Sequence, residues 1–227
     1  MVERRSLTVL TLSAPRTAGR EGAERIAAFG VSREIGGLPA LPRVKSELEA
    51  IVERRPGDSE GLVPGVILLD EQFTSERLRS TLLEGYPLVH LASHFVFRPG
   101  SLDRSFLLLG DGGRLTLEQI KQGALPLQGV RLLSLSACST ALGEDASGRE
   151  LESFGTLARR LGAREVMASL WQVPDLATAA LMRAFYGGRR RQPDSAAALA
   201  LAQRSLGRPG PWAHPFYWAS FVLLGAQ

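Results

Sequence analysis

Apolar strand-like runs alternate with helical segments along most of this chain, and that order is what most restricts its fold. "GVILLD" (Gly65–Asp70), "PLVHLAS" (Pro87–Ser93), "VRLLSLSA" (Val130–Ala137) and "EVMASLW" (Glu165–Trp171) are nearly continuous apolar runs. Runs of that kind belong to strands buried on both faces. Between them lie segments of helical period. "LPRVKSELEAIVERR" puts Val44, Leu48, Ile51 and Val52 on one face, while "TSERLRSTLLEG" starts at an N-cap of Thr74 or Ser75 and stops at Gly85. "TLEQIKQG" is a short helix capped by Thr116, "ELESFGTLARRLG" and "SAAALALAQRSLG" are further helices, and "DLATAALMRAFYGG" is one with Asp175 as N-cap. "LTVLTLSA" (Leu7–Ala14) reads as a first strand, "SFLLLGDGG" as a strand running into a glycine turn, and "FYWASFVLLG" as a closing strand. The stretch Arg16–Gly37 is the least regular and reads as a long loop. The class is therefore α/β, with a mostly parallel sheet covered by helices on both faces, and residues 1–227 read as one domain.

Such a sheet places its ligand outside the carboxyl ends of the strands. Two runs end there on reactive side chains. His94 closely follows "LVHLAS", and Cys138 follows "LLSLSA". The chain has one cysteine and three histidines, so the coincidence is informative. A thiol becomes a strong nucleophile as thiolate, and a nearby imidazole takes its proton and later protonates a leaving amine. The small residues Ser134, Ser136, Ala137, Ser139 and Thr140 leave room for a substrate backbone, and the Cys138 amide is placed to donate to an oxyanion.

Composition narrows the alternatives. A net charge of +4 comes from scattered basic residues, and the densest group, Arg189–Arg191, reads as part of a Gly/Pro-rich loop, so nucleic acid is not expected as a partner. No apolar stretch reaches the length of a membrane span, and a single cysteine points to a reducing, cytoplasmic setting. "GDGG" (Gly110–Gly113) lacks the following Lys-Ser/Thr of a phosphate loop, and the dispersed histidines offer no metal spacing, so no cofactor or metal is expected.

"HLASHF", "LSLSACSTALGE", "GRELESFGTLARRLGAREVMASLWQVPD" and the closing "HPFYWASFVLLG" together resemble the CHAT-domain family of caspase-like cysteine peptidases, over at least Leu88–Gly225. The resemblance implies a three-layer caspase–hemoglobinase fold and kinship with separases and metacaspases. It implies His94 as general base, Cys138 as nucleophile and the backbone amides of Phe95 and Cys138 as oxyanion donors. It further implies an endopeptidase that forms an acyl-enzyme on a protein or peptide substrate and answers to a regulatory partner carrying tetratricopeptide repeats. His90 occupies the strand position ahead of the base and reads as a hydrogen-bonded core residue. Around the site, Ser136, Trp171, Asp175 and Glu150 are candidate substrate contacts, although Asp175 reads first as a helix cap, and Glu150 with Asp145 reads first as a solvated loop. The chain departs from the family in two informative places. Phe95 stands where many members have glycine, which favours the rival reading of a catalytically silent interaction module. Ser136 stands where some relatives have an acid selecting a basic residue. The "GGRRRQ" segment (Gly187–Gln192) is a self-cleavage candidate if basic residues are accepted.

Overall fold

Seven strands make the central sheet in the order β10-β9-β8-β4-β1-β3-β2. They are β1 (Ile26–Gly30), β2 (Val52–Glu53), β3 (Val63–Leu69), β4 (Leu88–Ala92), β8 (Leu132–Leu135), β9 (Glu165–Ser169) and β10 (Phe221–Leu224). All neighbours pair in parallel except β10, which runs antiparallel to β9. A small antiparallel sheet of β5 (Phe95–Val96), β6 (Phe106–Leu108) and β7 (Arg114–Thr116) interrupts the chain between β4 and β8. The helices are α1 (Val44–Ile51), α2 (Ser75–Leu83), α3 (Leu117–Gln119), α4 (Arg149–Arg160), α5 (Asp175–Arg191) and α6 (Ser195–Leu206). This computed structural model describes residues 24–55, 57, 61–98, 100–136, 149–171 and 173–225, with the side chains of 149–153 excepted.

Strand alternation divides the core into two halves. Ala27, Phe29, Val89, Leu91, Leu133 and Leu135 face α2, α4 and the small sheet. Ile26, Ala28, Leu88, Leu132 and Met167 face α1, α5 and α6. Because successive side chains of a strand point to opposite faces, only a strand apolar at every position can serve both halves. The result is the three-layer arrangement of a caspase-like fold.

Local chemistry sets the helix ends. The Thr74 side chain accepts from the Arg77 N–H, Thr116 and Gln119 form a reciprocal capping box, and Asp194 accepts from the Ala197 N–H. Gly85, with φ +78°, turns the chain out of α2.

Four sequence expectations change here. Arg16–Gly37 holds no simple loop, because β1 lies within it between β4 and β3, fully buried. Its "IAAFG" is short and rich in small residues, so its strand signal is weak until neighbours bury it. Val52 leaves the α1 helix and opens β2. Arg189–Arg191 is the last turn of α5 and not a loop. Arg189 is buried, with one guanidinium nitrogen 2.6 Å from Glu24, so the self-cleavage candidate sits in ordered helix. Asp175 is the first residue of α5 and not its cap, the cap position being Pro174. Leu7–Ala14 lies outside the described residues.

Candidate active site

The site lies at the carboxyl ends of β1, β4, β8 and β9. In the parallel register Leu91 of β4 faces Leu135 of β8, and the Ser136 N–H donates to the Leu91 carbonyl at 2.9 Å. His94, two residues past β4, and Ser136, just past β8, thus emerge side by side. Each is nearly inaccessible to solvent. Ser93 anchors the turn between β4 and His94, its hydroxyl donating to the Leu108 carbonyl at 2.7 Å. The His94 carbonyl accepts from the Leu108 N–H at 2.9 Å.

The ring of His94 has a defined orientation. Nε2 lies 2.8 Å from the carbonyl oxygen of Pro39. A carbonyl only accepts, so Nε2 must carry the proton. In the neutral imidazole this leaves Nδ1 as a bare acceptor. Nδ1 is buried and has no hydrogen-bond partner among the described residues. A buried acceptor without a donor is costly unless something else comes to meet it.

His94 lines a pocket of about 410 Å³ together with Pro39, Leu41, Ser136, Asp175, Thr178 and Phe216, among others. The hydroxyls of the lining residues Ser136 and Thr178 are also buried, without partners among the described residues. Asp175 supplies the carboxylate of the lining, and its Oδ2 accepts the Arg43 N–H at 2.8 Å. Burial pushes the Asp175 carboxyl above its ordinary range. The Arg43 N–H pulls it partly back, and the neighbouring Glu47 pushes it up again. Trp171 stands beside the pocket, its indole N–H donating to the Phe216 carbonyl at 2.9 Å and its ring stacked on Phe216 with centroids 6.5 Å apart.

A raised Asp175 carboxyl has a consequence for stability. The unfolded chain releases this proton near 3.8, the folded chain only at higher pH. Stability therefore falls as pH rises between those two values, and ionised Asp175 opposes folding at neutral pH. Asp175→Asn keeps an oxygen for the Arg43 N–H and removes the charge. Its Tm should exceed that of the wild type at pH 7 and lose this advantage below pH 3.8. A Tm at pH 7 equal to or below wild type would rule out the burial penalty.

Phe95 turns away from the pocket. Its ring packs into the core against Phe154, with centroids 5.0 Å apart, and it is not part of the pocket lining. The bond from the Leu108 N–H to the His94 carbonyl makes Phe95 and Leu107 a non-hydrogen-bonded pair, so the Phe95 N–H faces away from β6. The large side chain therefore does not fill the cleft.

His90 is a different kind of histidine. It is wholly buried on β4, with Nε2 3.0 Å from Glu47 of α1 and Nδ1 3.1 Å from the hydroxyl of Tyr186 on α5. The Tyr186 hydroxyl donates to Ser134 of β8 at 2.9 Å, so its oxygen is what His90 Nδ1–H meets. Burial pushes the Tyr186 phenol far up, which keeps it a neutral donor. This polar chain ties α1 and α5 to the two strands that carry the site. His214 caps the short turn Pro215–Tyr217, accepting from the Phe216 N–H at 3.2 Å.

Of the expected site residues, the structure thus gathers His94, Ser136 and Asp175 in one pocket and puts Trp171 at its side. Glu150 belongs to the first turn of α4, and not to the loop before it, while its side chain lies outside the described residues. Cys138 and Asp145 also lie outside them. Three participants were not anticipated. Thr178 stands three residues after Asp175 on one helical face, a spacing visible in the sequence. Pro39 acts through its backbone carbonyl and Phe216 through a long-range approach, and neither leaves a sequence signal.

Among the described residues no helix is long and apolar enough to cross a membrane. No curated protein matches the chain. The family model of the CHAT domain matches residues 1–226. With that match and the caspase-like sheet bearing His94 at its carboxyl edge, the chain belongs to the CHAT-domain family, a group related to the caspase-like peptidases.

Proposed function

We propose that the protein is a cysteine endopeptidase in which Cys138 is the nucleophile and His94 the general base. The observation that carries this reading is the buried Nδ1 of His94, without a partner among the described residues, on a side chain that lines one pocket with Ser136. Cys138 follows Ser136 by two residues, and two residues of chain reach at most about 7 Å.

In this reading the His94 Nδ1 takes the thiol proton as the Cys138 sulfur attacks the carbonyl carbon of the peptide bond. The Pro39 carbonyl holds the opposite N–H and favours the imidazolium that forms, as a fixed acceptor does for any positioned imidazole. The amides of Cys138 and Phe95 donate to the oxyanion. Collapse of the tetrahedral species breaks the C–N bond, and Nδ1–H protonates the departing amine. Water, deprotonated by the same nitrogen, then hydrolyses the thioester and returns the thiol.

The pocket holds the residue before the cut. Asp175 gives it a negative charge, and the Ser136 and Thr178 hydroxyls, without partners among the described residues, add acceptors. A cationic side chain meets all three needs, so cleavage after Lys or Arg is the expected specificity, with the charge coming from the start of α5 and not from position 136.

The test is to incubate the protein with unfolded proteins and sequence the new termini by mass spectrometry, beside Cys138→Ala. Cuts that vanish in the variant and follow Lys or Arg are expected. Cuts that persist in Cys138→Ala, or none in the wild type under any condition tried, would overturn the reading.

A further inference from the structure

We propose that Asp70 is a positioning residue for His94, acting through the loop Ser32–Arg43. The proposal rests on the reading of His94 as the base, and its structural part can be tested without any activity. Asp70 directly follows β3 and has φ +49°; among the described residues it is the sole non-glycine residue with positive φ. Such a conformation is strained for a residue with a side chain and persists only where the surroundings impose it.

The surroundings do so on three sides. The Asp70 carbonyl accepts from the Phe73 N–H at 2.8 Å. Gly110 packs so closely on that carbonyl that a Cβ there would lie 1.8 Å from the oxygen. The carboxylate grips Ser32 twice, Oδ1 accepting the backbone N–H and Oδ2 the hydroxyl, both at 2.7 Å. The next pair along repeats the clamp, because Arg33 pairs with Glu71 and also donates to the Gly110 carbonyl at 3.0 Å.

Ser32 is where the loop after β1 begins, and its carbonyl accepts from the Leu41 N–H at 3.0 Å, closing the loop on itself. Inside that closure Ile35 bridges Leu38, and the next residue, Pro39, presents its carbonyl to His94 Nε2. The far end is held by Asp175 through the Arg43 N–H. The tautomer of His94 depends on Pro39, and Pro39 depends on a loop held by one carboxylate at each end. Asp175 belongs to the pocket; Asp70 lines no part of it, so its hold on Ser32 is the feature the peptidase reading leaves unexplained.

A purely local role, as a strand-ending turn, would leave the His94 ring untouched. Asp70→Gly separates the two, because glycine accepts positive φ freely while the grip on Ser32 is lost. The three imidazoles are followed by nitrogen NMR, with His94 assigned from the signals missing in His94→Ala. In Asp70→Gly the share of the Nε2–H tautomer at His94 should fall, and kcat on the mapped cut sequences should drop roughly tenfold with KM little changed, as expected for a displaced catalytic group. Asp70→Asn should restore both, its amide oxygen accepting from the Ser32 N–H and its amide N–H donating to the hydroxyl. Ser32→Ala, which loses one of the two bonds, should shift the tautomer in the same direction by less, and it serves if Asp70→Gly does not fold. A wild-type His94 tautomer in Asp70→Gly, or in Ser32→Ala should that alone be folded, would overturn the proposal. A shifted tautomer in a protein that never cleaves would uphold it and sink the peptidase reading instead.

Discussion

His94→Ala should slow alkylation of Cys138 at pH 6 by roughly tenfold or more, and move its pH dependence to that of an ordinary thiol near 8.5. The chain has one cysteine, so the mass added by iodoacetamide reports on Cys138 alone. Cleavage should fall further, by about 10²–10⁴-fold, because the imidazole also protonates the leaving amine. Truncating this buried side chain also leaves the Pro39 carbonyl without its donor, at a cost of about 1–3 kcal/mol, so alkylation is read on the folded fraction. Identical alkylation profiles in wild type and variant would show that His94 and Cys138 do not communicate.

His90→Ala should do the opposite. The imidazole is the hydrogen-bond partner of Glu47 Oε1, and Glu47 Oε2 has none among the described residues. Truncation leaves that carboxyl deep in the core beside a cavity, and strands the hydroxyl of Tyr186 without its donor. Removing one member of such a buried pair costs about 3–5 kcal/mol. For a domain whose whole stability is about 5–15 kcal/mol, that is a large part of the total. The urea midpoint should fall accordingly, and the Cys138 alkylation profile of the folded fraction should keep its wild-type shape. A midpoint within experimental error of wild type would mean that the Glu47–His90–Tyr186 chain contributes nothing to stability. The two histidines stand four positions apart, and only one of them serves the pocket.

Much of this was legible beforehand for a simple reason. Burial on both faces demands strands apolar at every position, and "PLVHLAS" or "VRLLSLSA" advertises that without reference to anything else in the chain. Parallel strands then force their carboxyl ends to one edge, which is why His94 and Cys138 are expected there together, and Ser136, two residues before Cys138, does stand beside His94. The caps at Thr74 and Thr116 were equally visible, because a cap is satisfied within its own turn.

What the sequence by itself determined is therefore the sheet covered on both faces, the edge that carries the pocket, and the arrival of His94 and Ser136 at that edge. Tertiary structure decided the rest, because each remaining feature depends on a partner far along the chain. "IAAFG" becomes the strand β1 only between β3 and β4. Asp175 turns from a helix cap into a pocket carboxylate because Arg43, 132 residues away in sequence, offers its N–H. Arg189 is drawn out of solvent by Glu24, across 165 residues. Above all, the protonation pattern of His94 is set by the backbone oxygen of Pro39, 55 residues upstream. A carbonyl is the same at every residue, so no side-chain pattern can announce which one will face the ring; only the folded loop brings it there.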